Sequence, residues 1–347
     1  MSKRVAVVTS TPLFAEGGHM VIARALVQAL REEGHQAELV LTPQNRFGRQ
    51  GAAYLATWLT DVGTGVDGQA VDQVISTRFP SYAVRHRNHV CWLNHTMREY
   101  YDQWTSFSAS LRWKGRIKET ARRSVIHAAD RWLLKKNVRK VMAQSRSVQA
   151  RLRRWGNIQS DVLYPPPPQR AYRCEEYGDY IFAVSRLTPL KRLSLLVEAL
   201  ANPEAGGIRC IIAGEGEEHQ VLEHAIMTRG LSSRVKLIGR IDDRQMLEHL
   251  ARCRAVCFPP FDEDYGFVTV EAFASRKAVI TCTDSGGPAE LVNDNVNGKV
   301  CAPRPETLAV ALREVMEDPQ MAERLGQAAL EKVSSMTWSK AVQRLLT

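Results

Sequence analysis

The sequence predicts an α/β protein built as two doubly wound, Rossmann-like domains facing each other across a cleft. Short apolar strand segments alternate with amphipathic helical segments through both halves of the chain. A length of 347 residues exceeds what one ordinary core holds and suits two domains. The proline run 165–168 can continue neither a helix nor a central strand, and it separates the two alternating stretches. The expected boundaries are 1–165 for the N-terminal domain, 166–178 for a linker, 179–335 for the C-terminal domain and 336–347 for a last helix.

In the first half, RVAVVTS is a short buried strand, followed by the Gly17-Gly18 loop. HMVIARALVQALREEGH carries apolar residues at helical spacing, and QAELVLT returns to strand, which together open a doubly wound sheet. VDQVIST, NHVCWLNH, KVMAQS and SDVLYP read as its later strands, with a basic helical segment between the second and third of these. In the second half the strands are YIFAVSRL, IRCIIAG, VKLIGR, RAVCFP and KAVITC. Between and after them KRLSLLVEAL, HQVLEHAIMTRG, RQMLEHLARC, FVTVEAFASR, GPAELVND and ETLAVALREVME read as helices, the second of them ended by a glycine. TWSKAVQRLLT is the last short helix.

Composition narrows the class. Hydrophobic content of 44% with 24% charged residues is that of a soluble globular protein. The opening MSKRVAVVTSTP has only four apolar residues, Val5 to Val8, before polar ones, too short a core for a signal peptide. No apolar run approaches the roughly 18 residues of a membrane span. Seven cysteines make an odd count without a CxxC pair, which predicts reduced thiols in a cytoplasmic protein. The net charge of +10 is local: Arg112 to Arg154 holds 15 Lys/Arg against Glu119 and Asp130, a net +13 that leaves −3 elsewhere. A slightly acidic remainder argues against a nucleic-acid partner.

Ligands of such sheets sit at the carboxyl ends of the strands, so the loops there are the candidates. In YIFAVSRLTPLKR, Arg186 leaves a strand while Lys191 and Arg192 open the next helix. Cations so placed either converge on one anion or line a solvated turn. IIAGEGEEH holds Gly214 and Gly216 but lacks the third glycine of a dinucleotide fingerprint, and its three glutamates repel a pyrophosphate, which excludes a dehydrogenase. The stretch FDEDYGFVTVEAF has Gly266 at a helix start, where backbone N–H groups offer an anion site. Glu263 lies in its loop and Glu271 eight positions later, inside the helix. TDSGGPAELV follows the next strand as a second glycine loop.

Taken together, these stretches resemble the family-4 retaining glycosyltransferases, the glycosyl transferases group 1 of the GT-B fold. The resemblance rests on the glutamate pair Glu263 and Glu271, Gly17-Gly18, SRLTPLKR, the AGEGEE turn, LIGR, GGPAELV with Asn297-Gly298, LYPPP and WLNHTMREYYDQW, in order along nearly the whole chain. It implies that Arg186 and Lys191 neutralise a leaving diphosphate, and that Gly266, Phe267 and Val268 present N–H groups to a nucleotide-sugar donor. Glu271 then accepts from the ribose hydroxyls, Glu263 from a sugar hydroxyl, and Ile238, Gly239 and Arg240 lie near the base, with Gly214 in the neighbouring turn. Gly17 and Gly18 let a loop close over the diphosphate, and His95 touches the sugar from the acceptor side. The resemblance further implies retention of anomeric configuration, a UDP- or GDP-sugar as donor substrate, and no other cofactor. No metal is expected either: His86 and His89 lack a third ligand nearby, and the acids Asp262-Glu263-Asp264 are assigned to sugar hydroxyls, capping and water. Two departures stand out. Ser275-Arg276-Lys277 replaces a small residue and a glycine, predicting a different helix exit, and the short tail predicts a truncated return of the last helix onto the N-terminal domain.

From Arg116 to Lys136, Ile117, Ala121, Val125, Ala128 and Trp132 share one helical face, with arginines and lysines largely elsewhere. Such a helix either meets an anionic membrane surface through residues 112–154 or docks its apolar face on its own sheet. The resemblance favours the first, and with it an enzyme peripheral at the inner face of the cell membrane. Its acceptor is then a glycan, lipid-linked or of the lipopolysaccharide or capsule type. The alternative is a non-catalytic GT-B protein that binds a polyanion or membrane through the same segment.

Overall fold

The computed structural model describes residues 2–14, 17–44 and 48–347, which divide into two compact units. Unit 1 is Met1–Pro168 with Thr337–Thr347, and unit 2 is Gln169–Met336.

Unit 1 carries the parallel strands β1 (Arg4–Thr11), β2 (Gln36–Pro43), β3 (Gln73–Ser76), β4 (His89–Leu93), β5 (Lys140–Ala143) and β6 (Asp161–Val162). They lie in the order β2-β1-β3-β4-β5-β6. The first helix, α1 (Gly18–Glu32), buries Met20, Ala23, Leu26, Val27 and Leu30, the i, i+3, i+4 stripe legible in the sequence. It ends where Gly34 adopts φ 83° and His35 N donates to Leu30 O, a turn that glycine makes without penalty. The remaining helices are α2 (Gln50–Leu59), α3 (Trp104–Ala109), α4 (Trp113–Trp132) and α5 (Arg146–Gly156).

Unit 2 carries β7 (Tyr180–Val184), β8 (Arg209–Ala213), β9 (Val235–Leu237), β10 (Ala255–Cys257), β11 (Val279–Cys282) and β12 (Gly298–Cys301), all parallel. Its helices are α6 (Leu193–Ala201), α7 (His219–Thr228), α8 (Asp243–Arg252), α9 (Phe267–Ala274), α10 (Gly287–Leu291), α11 (Pro305–Glu317) and α12 (Pro319–Ser334). The sheet order β12-β11-β10-β7-β8-β9 is, counted from the unit's first strand, the 3-2-1-4-5-6 order of a Rossmann sheet. The β7 and β10 strands are neighbours from which the chain winds in opposite directions, so the switch point lies between them.

The tail overturns the expectation of a truncated return. The last helix, α13 (Trp338–Leu345), belongs to unit 1 and buries Ala341, Val342 and Leu345 there. Thr337 caps it, Trp338 Nε1 donates to Pro167 O at 2.9 Å, and Gln73 Nε2 donates to Leu345 O at 2.6 Å. Eight residues are two helical turns, enough to seat three apolar side chains and three polar anchors.

The exit of α9 keeps a glycine-like geometry without the glycine. Arg276 takes φ 56°, and its carbonyl accepts from Tyr177 Oη at 2.7 Å. Lys277 is fully buried, with Nζ 3.2 Å from Cys174 Sγ and 4.0 Å from the centre of the Tyr177 ring. A left-handed conformation costs a residue with a Cβ about 1–2 kcal/mol, against about 0.5–1 kcal/mol of extra chain entropy that glycine loses on folding. Arg276→Gly is therefore expected to raise stability by about 0.5–1 kcal/mol in urea denaturation. A destabilised variant would show that the arginine side chain makes up for its backbone.

Candidate active site

The carboxyl ends of the unit 2 strands carry five loops joined to one another by backbone hydrogen bonds. Leu187 N donates to Glu215 O (2.9 Å), Gly214 N to Gly239 O (2.7 Å) and Phe261 N to Leu190 O (2.8 Å). Asp262 N donates to Asp284 O (2.9 Å), Glu263 N to Ser285 O (3.0 Å) and Gly287 N to Glu263 O (2.8 Å). The loops touch so closely that certain positions admit no side chain. A Cβ on Gly214 would lie 1.8 Å from Ser185 O, one on Gly286 2.4 Å from Glu263 O, and one on Gly287 2.5 Å from the Tyr265 Cα. Loop-on-loop packing thus explains Gly214 and the Gly286-Gly287 pair directly. Asn297 likewise serves its own turn, accepting from Asn293 N at 2.6 Å and donating to Leu291 O at 3.2 Å.

Within this layer the sequence candidates separate into groups. Arg186, leaving β7, is exposed, and its guanidinium has no bonded partner among the described residues. Lys191 ends the short turn Pro189–Lys191, and its Nζ pairs with Glu263 Oε2 at 2.6 Å. The two side chains keep 13% and 20% of their exposure, so a polar ligand can reach both. The third cation of that stretch, Arg192, has a different task. At φ 49° it forks onto Asp284 (2.6 and 2.8 Å) and donates to the carbonyls of Pro259 and Pro260, tying the loop after β10 to the loop after β11. Lys191 and Glu263 therefore sit in a fixed frame that Arg192 builds.

Gly266 is the N-cap of α9, at φ 78° with no side chain to satisfy the first N–H groups of Phe267 and Val268. A Cβ there would press within 2.8 Å of both Phe258 and Pro288. Glu271, one turn into α9, is buried at 5% exposure, and its Oε1 meets Arg170 Nη1 at 2.5 Å and the Tyr172 hydroxyl at 3.4 Å. Burial pushes its carboxyl above the usual range while Arg170 opposes that rise. Sequence reasoning missed Arg170 and Tyr172, because they lie in the segment taken as linker and carry no spacing signal toward a residue about 100 positions on. Ile238 and Arg240 are exposed beside Gly239, which takes φ 69° with open space about its Cα.

The other candidates lie in unit 1. Gly17 is the N-cap of α1, in fully extended backbone that any residue adopts, and Gly18 is the helix's first residue. His95 follows β4. Its Nδ1 lies 2.6 Å from Thr96 O, within hydrogen-bonding distance of that carbonyl. The two nearby histidines are structural: His89 is buried on Ser76 Oγ at 2.8 Å, with its pKa lowered to about 3 by burial, and His86 bonds to Val71 O and Asn88.

The basic helix α4 does not take the alternative in which its apolar face docks on its own sheet. Ile117, Ala121, Val125, Ala128 and Trp132, the face that docking on its own sheet requires, are all exposed. Its buried residues are Glu119, Ile126 and Asp130. Asp130 accepts from the hydroxyls of Tyr54, Tyr82 and Tyr101, and burial raises its pKa to about 6 despite them. Glu119 accepts from Tyr100 Oη, and Arg123 Nε and His127 Nε2 both bond to Tyr100 O. The polar face thus holds the loop that follows His95, where tyrosine hydroxyls compensate the charges. Outside, Leu55, Trp58, Val125 and Trp132 line a groove of about 670 Å³ between α2 and α4.

Residues 170–332 match the family described as Glycosyl transferases group 1. The chain is similar to the human alpha-1,3/1,6-mannosyltransferase ALG2, 26% identical over 221 residues that cover 55% of this chain and 53% of that protein. It thus spans about half the length of that relative. The sucrose-phosphate synthase (tll1590) from Thermosynechococcus elongatus superposes at a TM-score of 0.78 with 16% identity, covering 98% of this chain and 97% of the other. Anabaena Alr3699/HepE in complex with UDP-glucose gives a TM-score of 0.70 with 17% identity and 98% of each chain covered. At such identities the likeness speaks for the fold.

Proposed function

Residues 170–332 form a glycosyl transferases group 1 domain in a chain of the GT-B fold, and from that premise we propose a metal-independent, retaining glycosyltransferase of the family-4 type. It moves a sugar from a UDP- or GDP-sugar to a glycan acceptor. The observation that carries this reading is the position of the charged groups. Arg186 and Lys191 leave β7 and Glu263 leaves β10, the two strands that flank the switch point of unit 2. Cations and open helix N–H groups there suit a diphosphate, and carboxylates suit hydroxyls.

In the reaction the acceptor oxygen bonds to the anomeric carbon on the face from which the diphosphate departs. The carbon–oxygen bond to phosphate breaks, and a phosphate oxygen of the leaving group takes the hydroxyl proton. The products are the glycoside, with its configuration kept, and a nucleoside diphosphate. Arg186 and Lys191 stabilise the charge that grows on that leaving group, which leaves no task for a divalent ion. Calorimetric titration with UDP-glucose and GDP-mannose tests the reading: one of them binds to wild type, and binding of neither would contradict it.

The lipid-linked acceptor and the peripheral location belong to the same proposal, supported by α4. Its outward face sets Trp113, Ile117, Val125 and Trp132 among Arg116, Lys118 and Arg131, and the segment Leu133–Asn137 that continues it adds the exposed Lys135 and Lys136, the composition of an interfacial helix. Among the described residues no helix is long and apolar enough to cross a membrane. Each cation near an anionic surface contributes about 1 kcal/mol, and salt weakens it. Replacing Lys118, Arg131, Lys135 and Lys136 by glutamine is expected to release the protein from phosphatidylglycerol vesicles that hold wild type at low salt. Arg123 is left in place, because it points inward to Tyr100. Wild type that ignores such vesicles would leave α4 a solvated face and the acceptor a free glycan.

A further inference from the structure

Glu271 presents one carboxylate oxygen already engaged and one not. Both of its side-chain bonds, from Arg170 Nη1 and from the Tyr172 hydroxyl, end on Oε1. The other amino group of Arg170, Nη2, pairs with Asp243 Oδ2 on α8 at 2.9 Å. A planar guanidinium held at both ends fixes the plane of the carboxylate it touches, which a lysine in its place cannot do. A carboxylate with 5% of its surface exposed also needs a counter-charge to remain ionised.

We propose that Arg170, braced by Asp243 and assisted by Tyr172, is a positioning residue for nucleotide binding that occupies Oε1 of Glu271 and leaves Oε2 for the ribose hydroxyls of the donor. The proposal rests on the ribose role given to Glu271 above. The segment 169–178 is thereby part of the donor site and not a passive connection. Its backbone is anchored accordingly, Glu175 N and Gly178 N donating to the carbonyls of Ala251 and Arg252 at the end of α8.

The groups that face Glu271 are Arg170 and Tyr172 from this segment and Asp243 from α8, and of these only Arg170 is positive. Burial already raises the Glu271 carboxyl, so removing Arg170 raises it further. Protonation then occurs at higher pH, and nucleotide affinity is lost as pH falls through that point. The probe is whichever of UDP-glucose and GDP-mannose binds wild type more tightly, since their diphosphates exchange no proton near neutral pH. Arg170→Met is expected to weaken binding about tenfold near pH 6 and by less than about threefold near pH 8.5. Arg170→Lys keeps the charge and is expected to keep the pH profile of wild type at reduced affinity. Thermal unfolding of each variant identifies a folding defect, and Tyr172→Phe, which removes only the 3.4 Å contact, is the milder check. A loss in Arg170→Met that is equal at both pH values, or no loss at all, overturns the proposal. Undiminished binding by Glu271→Gln overturns instead the ribose role on which it rests.

Discussion

Alanine at Lys191 lowers turnover about 10²–10³-fold if this ammonium stabilises the departing diphosphate, the loss typical of one preorganised charge or donor removed from a transition state. The variant still folds. Glu263, the partner it abandons, is 20% exposed and stays in reach of water, so the broken pair costs about 1–2 kcal/mol after solvent screening. Arg186→Ala is the cleaner companion, because that side chain is exposed and bonded to no described residue. Its turnover falls by a similar factor with no change in unfolding. Steady-state release of nucleoside diphosphate measures both, and near-normal rates in Arg186→Ala and Lys191→Ala together would remove the electrostatic role.

Glu263→Ala is expected to reduce the same turnover at least about a hundredfold, while Asp264→Ala reduces it less than about tenfold. The contrast follows from placement. Glu263 is pinned by main-chain bonds on both sides, N to Ser285 O and O from Gly287 N, and its carboxylate lies on Lys191. An acid held that rigidly is aimed. Equal losses at Glu263 and Asp264 would mean that the three acids act as a set.

The sequence makes unit 2 more legible than unit 1 for a physical reason. Its candidate residues Arg186, Lys191, Gly266 and Glu271 lie within one turn of a strand end or helix start. Local spacing therefore reports their position. Of its strands, β12 in GKVC escaped, since four residues with a glycine and a lysine show no alternation. Arg170 and Tyr172 escaped because their significance lies in contacts about 100 residues distant, which no periodicity records. In α4 the apolar stripe was legible, but it suited two orientations, facing a membrane or docked on its own sheet. The stripe of Ile117, Val125 and Trp132 faces outward, and Tyr54, Tyr82, Tyr100 and Tyr101, which no helical spacing records, supply the hydroxyls that let Glu119 and Asp130 go inside. The Gly17-Gly18 and Gly214 positions illustrate the reverse case. Their glycines are obvious in the sequence, but only the backbone shows that Gly214 answers a contact with Ser185 O while Gly17 is extended chain.

In the proposed donor site the positive charge comes from the protein and the acids face sugar. Release of nucleoside diphosphate from the bound donor, followed in excess EDTA, tests it most directly. Wild type is expected to keep its rate in EDTA, and Glu263→Ala to have lost it with or without added manganese. Loss of the wild-type rate in EDTA, restored by manganese or magnesium, would contradict it and make Asp262, Glu263 and Asp264 a metal site.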